Sequence, residues 1–174
     1  MSGHSKWAQI KHKKGVADVK RGVLFSKILK AISIAAKPES NPDFNPRLRS
    51  AVEKAKENNV PAENIQRAIS KASEEKDLQE IVIEAYGPEG VGLIIEGVTD
   101  NSNRTISEIR HLLDENGAKM ANQGSVQWSF EKSGGEWKVK FPQSLSPQGK
   151  QKLDSLVKII EERDDVQRVI TNTS

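Results

Sequence analysis

The chain contains no cysteine and only three histidines among 174 residues. Disulfides and thiolate metal sites are therefore excluded, and a reducing, cytoplasmic setting is expected. Three histidines barely cover the three or four protein ligands that zinc takes. His4 and His12 lie eight residues apart among lysines, which repel a dication, and His111 stands alone on a charged segment. No metal and no cofactor is expected. No apolar run approaches the roughly 18 residues of a membrane span. None follows the basic opening to make a secretory leader, and that opening has too little arginine for a mitochondrial transit peptide. A glycine-rich phosphate cradle is missing too, because Gly90-Val91-Gly92 has neither the spacing nor the following helix. Glu161-Glu162 and Asp164-Asp165 read as a solvated helix end. No nucleophile has an activator beside it, so the expectation is no enzyme.

Acidic residues are scarce in one place only. Through Lys37 the chain carries nine Lys and Arg against Asp18, a net charge of +8, whereas the whole chain is +3. The other 137 residues are therefore net −5. Charge sorted in this way predicts an anionic partner, because each phosphate neutralised by a lysine releases counterions without any reading of sequence. The candidate nucleic-acid contacts are Lys6, Lys11, His12, Lys13, Lys14, Lys20, Arg21, Lys27 and Lys30, with Arg47, Arg49 and Arg104 further along. Trp7 either stacks on an unpaired base or packs with Ile10 against the helices. A membrane surface is the rival anion, but the segment lacks the large apolar face that lipid binding uses.

Leu, Ile, Val and Phe make up about a quarter of the chain, enough for modest cores. Residues 1–15 show no apolar period and are expected to form an extended arm. From Val16, Phe25, Ile28, Leu29, Ile32 and Ala36 recur at helical steps. Pro38 ends that helix, and Asn45-Pro46 reads as a cap with proline at the first helical position. Leu48, Val52 and Ala55 form one buried stripe, and after Pro61, Ile65, Ile69 and Ala72 form another. The composition changes near Leu78. EIVIEAY and VGLIIEGV read as strands joined by a turn at residues 87–90, and TDNSNRT as a capped loop bonding its own backbone. A helix with Ile106, Ile109, Leu112 and Leu113 follows. Val126, Trp128 and Phe130 alternate with polar residues as a half-buried strand, Gly134-Gly135 turns it into EWKVKF, and Ser146-Pro147 starts the last helix before VQRVIT. The expected fold is α+β: residues 1–77 as basic arm and three-helix domain, 78–174 as a ferredoxin-like βαββαβ domain with an extra leading strand.

GHSKW, IKHKK and DVKRGVLFSK at the start resemble the YebC/PmpR family, which includes the mitochondrial translational activator of cytochrome c oxidase subunit I. NPRLR, VPAENIQRAISK, YGPEG, TDNSNRT, GSV and DDVQRV follow in the family's order. The resemblance implies a non-enzymatic, cytoplasmic, nucleic-acid-associated protein. Two roles are implied: a translation factor on the ribosome that relieves stalls at proline runs, or a regulator that binds promoter DNA. An extended lysine arm with no groove-entering helix favours ribosomal RNA. Family members carry a further α/β domain after the strand ending near Phe130. Here Glu131–Glu136 is a tight turn, so that domain is expected to be absent.

Overall fold

The computed structural model describes the backbone from Gly3 to Ser174, with the side chains of Gln9, Lys11 and all residues from Lys13 onward. The chain divides between Ser73 and Glu74 into two compact units.

The first unit is three helices, α1 (Gly3–Ala36), α2 (Pro46–Glu57) and α3 (Ala62–Lys71). Its core joins Ile28, Ile32 and Ala35 of α1 to Leu48 and Ala55 of α2 and Ile65 of α3, with Phe25 and Leu29 at the margin. Asn45 fixes the α1–α2 corner. Its Oδ1 accepts from the Leu48 amide at 3.0 Å, and its Nδ2 donates to the carbonyls of Ala35 (2.6 Å) and Glu39 (2.7 Å). The expected cap is thus also a clamp on the preceding helix.

Residues before Val16 do not form the expected extended arm, because α1 already begins at Gly3. A missing apolar period misleads here, since that period reports the burial of one face and not helicity itself. Lysine, a good helix former, is the commonest residue of this stretch, and no proline interrupts it.

The second unit has a four-stranded antiparallel sheet in the order β3-β1-β2-β6, with β1 at Gln79–Tyr86, β2 at Gly92–Thr99, β3 at Lys119–Met120 and β6 at Val166–Thr171. Helices α4 (Ser102–Glu115) and α5 (Pro147–Glu161) cover one face, where Ile83, Ala85, Leu93 and Ile95 meet Ile109, Leu113, Leu156 and Ile160. The residues between them in β1 and β2 point to the opposite face. There Ile94 packs on Val126 and Phe130, with Trp137 and Ile170 beside them. At Gly97 the β2–β6 register shifts, and a Cβ would stand 2.6 Å from the Asp165 carbonyl, so only glycine fits.

The α+β class, the three N-terminal helices and the leading strand agree with the expectation. The membership of the sheet does not. Strands β4 (Phe130–Ser133) and β5 (Glu136–Val139) pair only with each other, through Gly134 and Gly135 at positive φ, while β1 and β3 lie in the main sheet. Residues 127–129 form a helical turn instead of a strand. The cause is Glu84, whose carboxylate accepts from the amides of Gly124 (2.6 Å), Val126 (2.7 Å) and Gln127 (3.1 Å) and curls the segment around itself. Trp128 leaves the core as a result and is 62% exposed, although Val126 and Phe130 are buried.

Candidate nucleic-acid interface

Among the described side chains of α1, burial begins at Val23. Each described side chain from Gln9 to Gly22 is exposed, so none of these is packed into the core of its unit. It carries Lys11, Lys13, Lys14, Lys20 and Arg21, all exposed. Lys13, Lys20 and Lys27 are seven residues apart, which puts them along one side of the helix at intervals of about 10 Å. Lys27 and Lys30 are half-buried where α1 meets the core. The Arg21 guanidinium lies 5.1 Å from the centroid of the Phe25 ring, which anchors it at the boundary. Lys6 falls on the lysine spacing by sequence, but its side chain and those of His4, Trp7, Ile10 and His12 lie outside the described residues.

The remaining candidates sit elsewhere. Arg47 is exposed in the first turn of α2. Arg49 donates from Nε to the Pro42 carbonyl at 3.2 Å and from its terminal nitrogen to that of Asp43 at 2.9 Å, bracing the loop before α2. Arg104 belongs to the second unit. Its terminal nitrogen contacts Asp100 at 2.8 Å and Asp165 at 3.0 Å, and those hydrogen bonds raise its pKa further above the ordinary arginine value. Its guanidinium therefore closes a structural network. The TDNSNRT segment does cap its own helix, with Asn101 Oδ1 accepting from the Arg104 amide at 3.1 Å. Asp165, however, is not part of a solvated helix end, being only 4% exposed.

Charge follows the division into units. Residues 1–73 hold 15 basic and 6 acidic side chains, net +9, whereas residues 74–174 hold 12 and 18, net −6. A polyanion therefore meets attraction at the first unit and net repulsion at the second. His111 pairs with Glu115 at 3.2 Å on the exposed side of α4, and among the described residues no group of three or more His, Asp or Glu could hold a metal ion. No described helix is long and apolar enough to cross a membrane.

Comparison with known proteins decides the family. The profile described as the TACO1/YebC protein N-terminal domain matches residues 5–75, and that described as the TACO1/YebC second and third domain matches residues 78–137. The chain belongs to the TACO1/YebC family. A probable transcriptional regulatory protein of Koribacter versatilis is 53% identical over 137 residues, covering 77% of this chain and 55% of that protein. One of the same description from Dehalococcoides mccartyi is 50% identical over 138 residues, with the same shares covered. The chain thus spans about half the length of the curated relatives it matches. The crystal structure of a conserved hypothetical protein from Aquifex aeolicus superposes with a TM-score of 0.83 at 32% identity, covering 98% of this chain and 97% of that one.

The lysines of this TACO1/YebC chain were legible in its sequence, but the rod that carries them was not. A lysine-rich run free of proline was the available signal.

Proposed function

We propose that this protein is a non-enzymatic regulator of gene expression that binds nucleic acid by laying the exposed half of α1 along the phosphates. The observation carrying this reading is that half-helix itself: basic, exposed at each of its described side chains, and part of a +9 unit. A bare helix is about 10–12 Å across, which matches the roughly 12 Å major groove of B-DNA. Continuous basic helices enter that groove in known docking geometries, whereas the major groove of A-form RNA is too narrow to be read by side chains. The preference for ribosomal RNA assumed a lysine arm with no groove-entering helix. With α1 helical from Gly3, duplex DNA becomes the first target. The names of the relatives, probable transcriptional regulatory proteins, point the same way.

A second reading keeps the ribosome, as a translation factor helping elongation through stalling sequences such as proline runs. It is favoured by what the helix lacks. Gln9 is the one amide side chain among its described exposed residues, and Arg21 is committed to Phe25. Lysines position a protein on phosphate without specifying bases, which suits structured RNA equally. Membrane binding is disfavoured because, among the described residues of this half, the exposed large apolar side chains are Val16 and Val19, too few for a lipid-facing stripe.

The test is genome-wide DNA crosslinking of the tagged protein, run beside co-sedimentation with ribosomes. Discrete DNA peaks are expected. Ribosomal enrichment without such peaks would move the function to translation, and neither signal would remove nucleic acid from the reading.

A further inference from the structure

The second unit holds three partly exposed aromatic rings around one cleft of about 360 Å³, at the small end of the range for ligand sites. Trp128 is 62% exposed, Phe141 49% and Tyr86 38%. The Trp128 and Phe141 rings are 5.5 Å apart at an angle of 39°, too close to admit another ring between them, and both remain partly open to solvent.

The backbone beneath these rings is fixed. Glu84 holds the amides of Val126 and Gln127 just before Trp128. The Ser129 carbonyl accepts from the amides of Lys140 (2.9 Å) and Phe141 (3.1 Å), and Asn172 donates to the Phe141 carbonyl at 3.1 Å. Tyr86 donates its hydroxyl to the Ser125 carbonyl at 2.7 Å. Exposed aromatics on a backbone this constrained lose little entropy when a ligand covers them.

The polar side chains lining the cleft are already engaged. Asn172 Oδ1 accepts from the Gly92 amide at 2.7 Å, Gln143 donates to the Glu89 carbonyl, and Ser129 donates to Val126 at 2.8 Å. The cleft therefore offers ring faces and not a pattern of donors and acceptors. Charge supplies the second half of the argument. Residues 119–143 carry four lysines and two glutamates, net +2 inside a unit of net −6. Lys140 Nζ lies 5.4 Å from the Phe141 ring centroid, beside the cleft. The two acids beside the lining are engaged: Glu84 by the amides of Val126 and Gln127, and Glu89 by the amide and hydroxyl of Ser146.

From this we infer that the cleft stacks an unpaired nucleobase on Trp128 and Phe141, with the adjoining phosphate drawn to Lys140. Stacking of this kind tolerates any base, because each has a π-face. The site rests on the nucleic-acid reading above but extends it to unpaired strands.

The test uses the full chain with oligouridine and oligothymidine of about eight nucleotides, within the usual span of single-strand sites. Trp128→Ala should weaken binding of at least one of them about tenfold or more, Trp128→Phe should keep most of it, and duplex binding should not change. Preference for either oligonucleotide supports the site and names the strand. Phe141→Ala is the second variant, in case the first disturbs the turn. Wild-type affinity of both alanine variants would overturn the inference. Reversal of Lys11, Lys13 and Lys14 to Glu separates the two surfaces. Single-strand binding that survives the reversal but is lost in Trp128→Ala upholds the cleft, and duplex binding that also survives the reversal removes the α1 reading. Loss on the reversal alone does the opposite.

Discussion

Thr105 donates its hydroxyl to the Asp165 carboxylate at 2.6 Å, and Arg104 reaches the same oxygen at 3.0 Å. Thr99, at the end of β2, lies 2.8 Å from the Thr105 hydroxyl and 3.3 Å from that carboxylate. One buried carboxylate thereby ties the β2–α4 junction to the start of β6. Asp165→Ala should take the shared charged acceptor from two buried hydroxyls, leaving them each other and the Asn101 carbonyl, and cost about 1.5–3 kcal/mol. Urea unfolding at neutral pH measures this, and a loss below about 0.5 kcal/mol would show that water replaces the carboxylate.

Glu84 makes stability depend on pH. Burial opposes its ionisation, but hydrogen bonds from Gly124, Val126 and Gln127, with the Gln127 side chain at 2.7 Å, outweigh that and hold its pKa below the ordinary 4.5. A carboxyl with a lowered folded pKa contributes its full stability above the ordinary value and loses it as pH falls through the folded one. Glu84→Gln presents an amide donor to backbone donors, so it should destabilise by about 1.5–3 kcal/mol at pH 7. The gap to wild type should narrow below the ordinary 4.5. Parallel urea titrations at about pH 7 and pH 3 decide it, and a constant gap would refute the linkage.

What could be read from the sequence was local. Asn45-Pro46 and Ser146-Pro147 cap helices through atoms three residues away, with Leu48 and Gly149 as donors. Gly134-Gly135 turns a hairpin by its own φ angles. Trp128 was misplaced because the carboxylate that curls its turn is contributed by Glu84 in β1, more than 40 residues earlier. Asp165 was misplaced for the same reason, since its partners are 60 or more residues away. The exposed half of α1 was missed because no apolar stripe marks it, and its described side chains are exposed. Of the candidate site, the charges were legible and their scaffold was not.

Gly15 and Gly22 lie inside α1, and a Cβ at either meets nothing within 4 Å. Gly→Ala at such positions favours the helix by about 0.8–1 kcal/mol. Because residues 13–22 are all exposed, the gain should appear as slower amide exchange there, with little change in the global melting temperature. Binding should tighten too, since less ordering remains to be done on contact. Unchanged exchange in the double variant would mean that the helix is already saturated in the free protein.

The last prediction concerns Lys11, Lys13 and Lys14, all exposed on α1. Changing the three to Glu takes the segment through Lys37 from +8 to +2. Attraction for phosphate should collapse, while stability should hardly change, because exposed charges are worth about 0–1 kcal/mol. Lys14→Glu sets a carboxylate one turn from Asp18, a like-charge pair that costs only about 0.2–0.5 kcal/mol. If about six phosphates are contacted, wild-type affinity should fall on the order of 1000-fold between about 50 and 200 mM salt, and the slope should flatten by about 0.9 per contact removed. Titrating one duplex against both proteins across salt supplies the slopes. An unchanged slope would put the phosphates elsewhere, with Arg47 the next residue to test. A collapse in melting temperature would instead make this half of α1 a structural element, and its lysines would lose their claim to the interface.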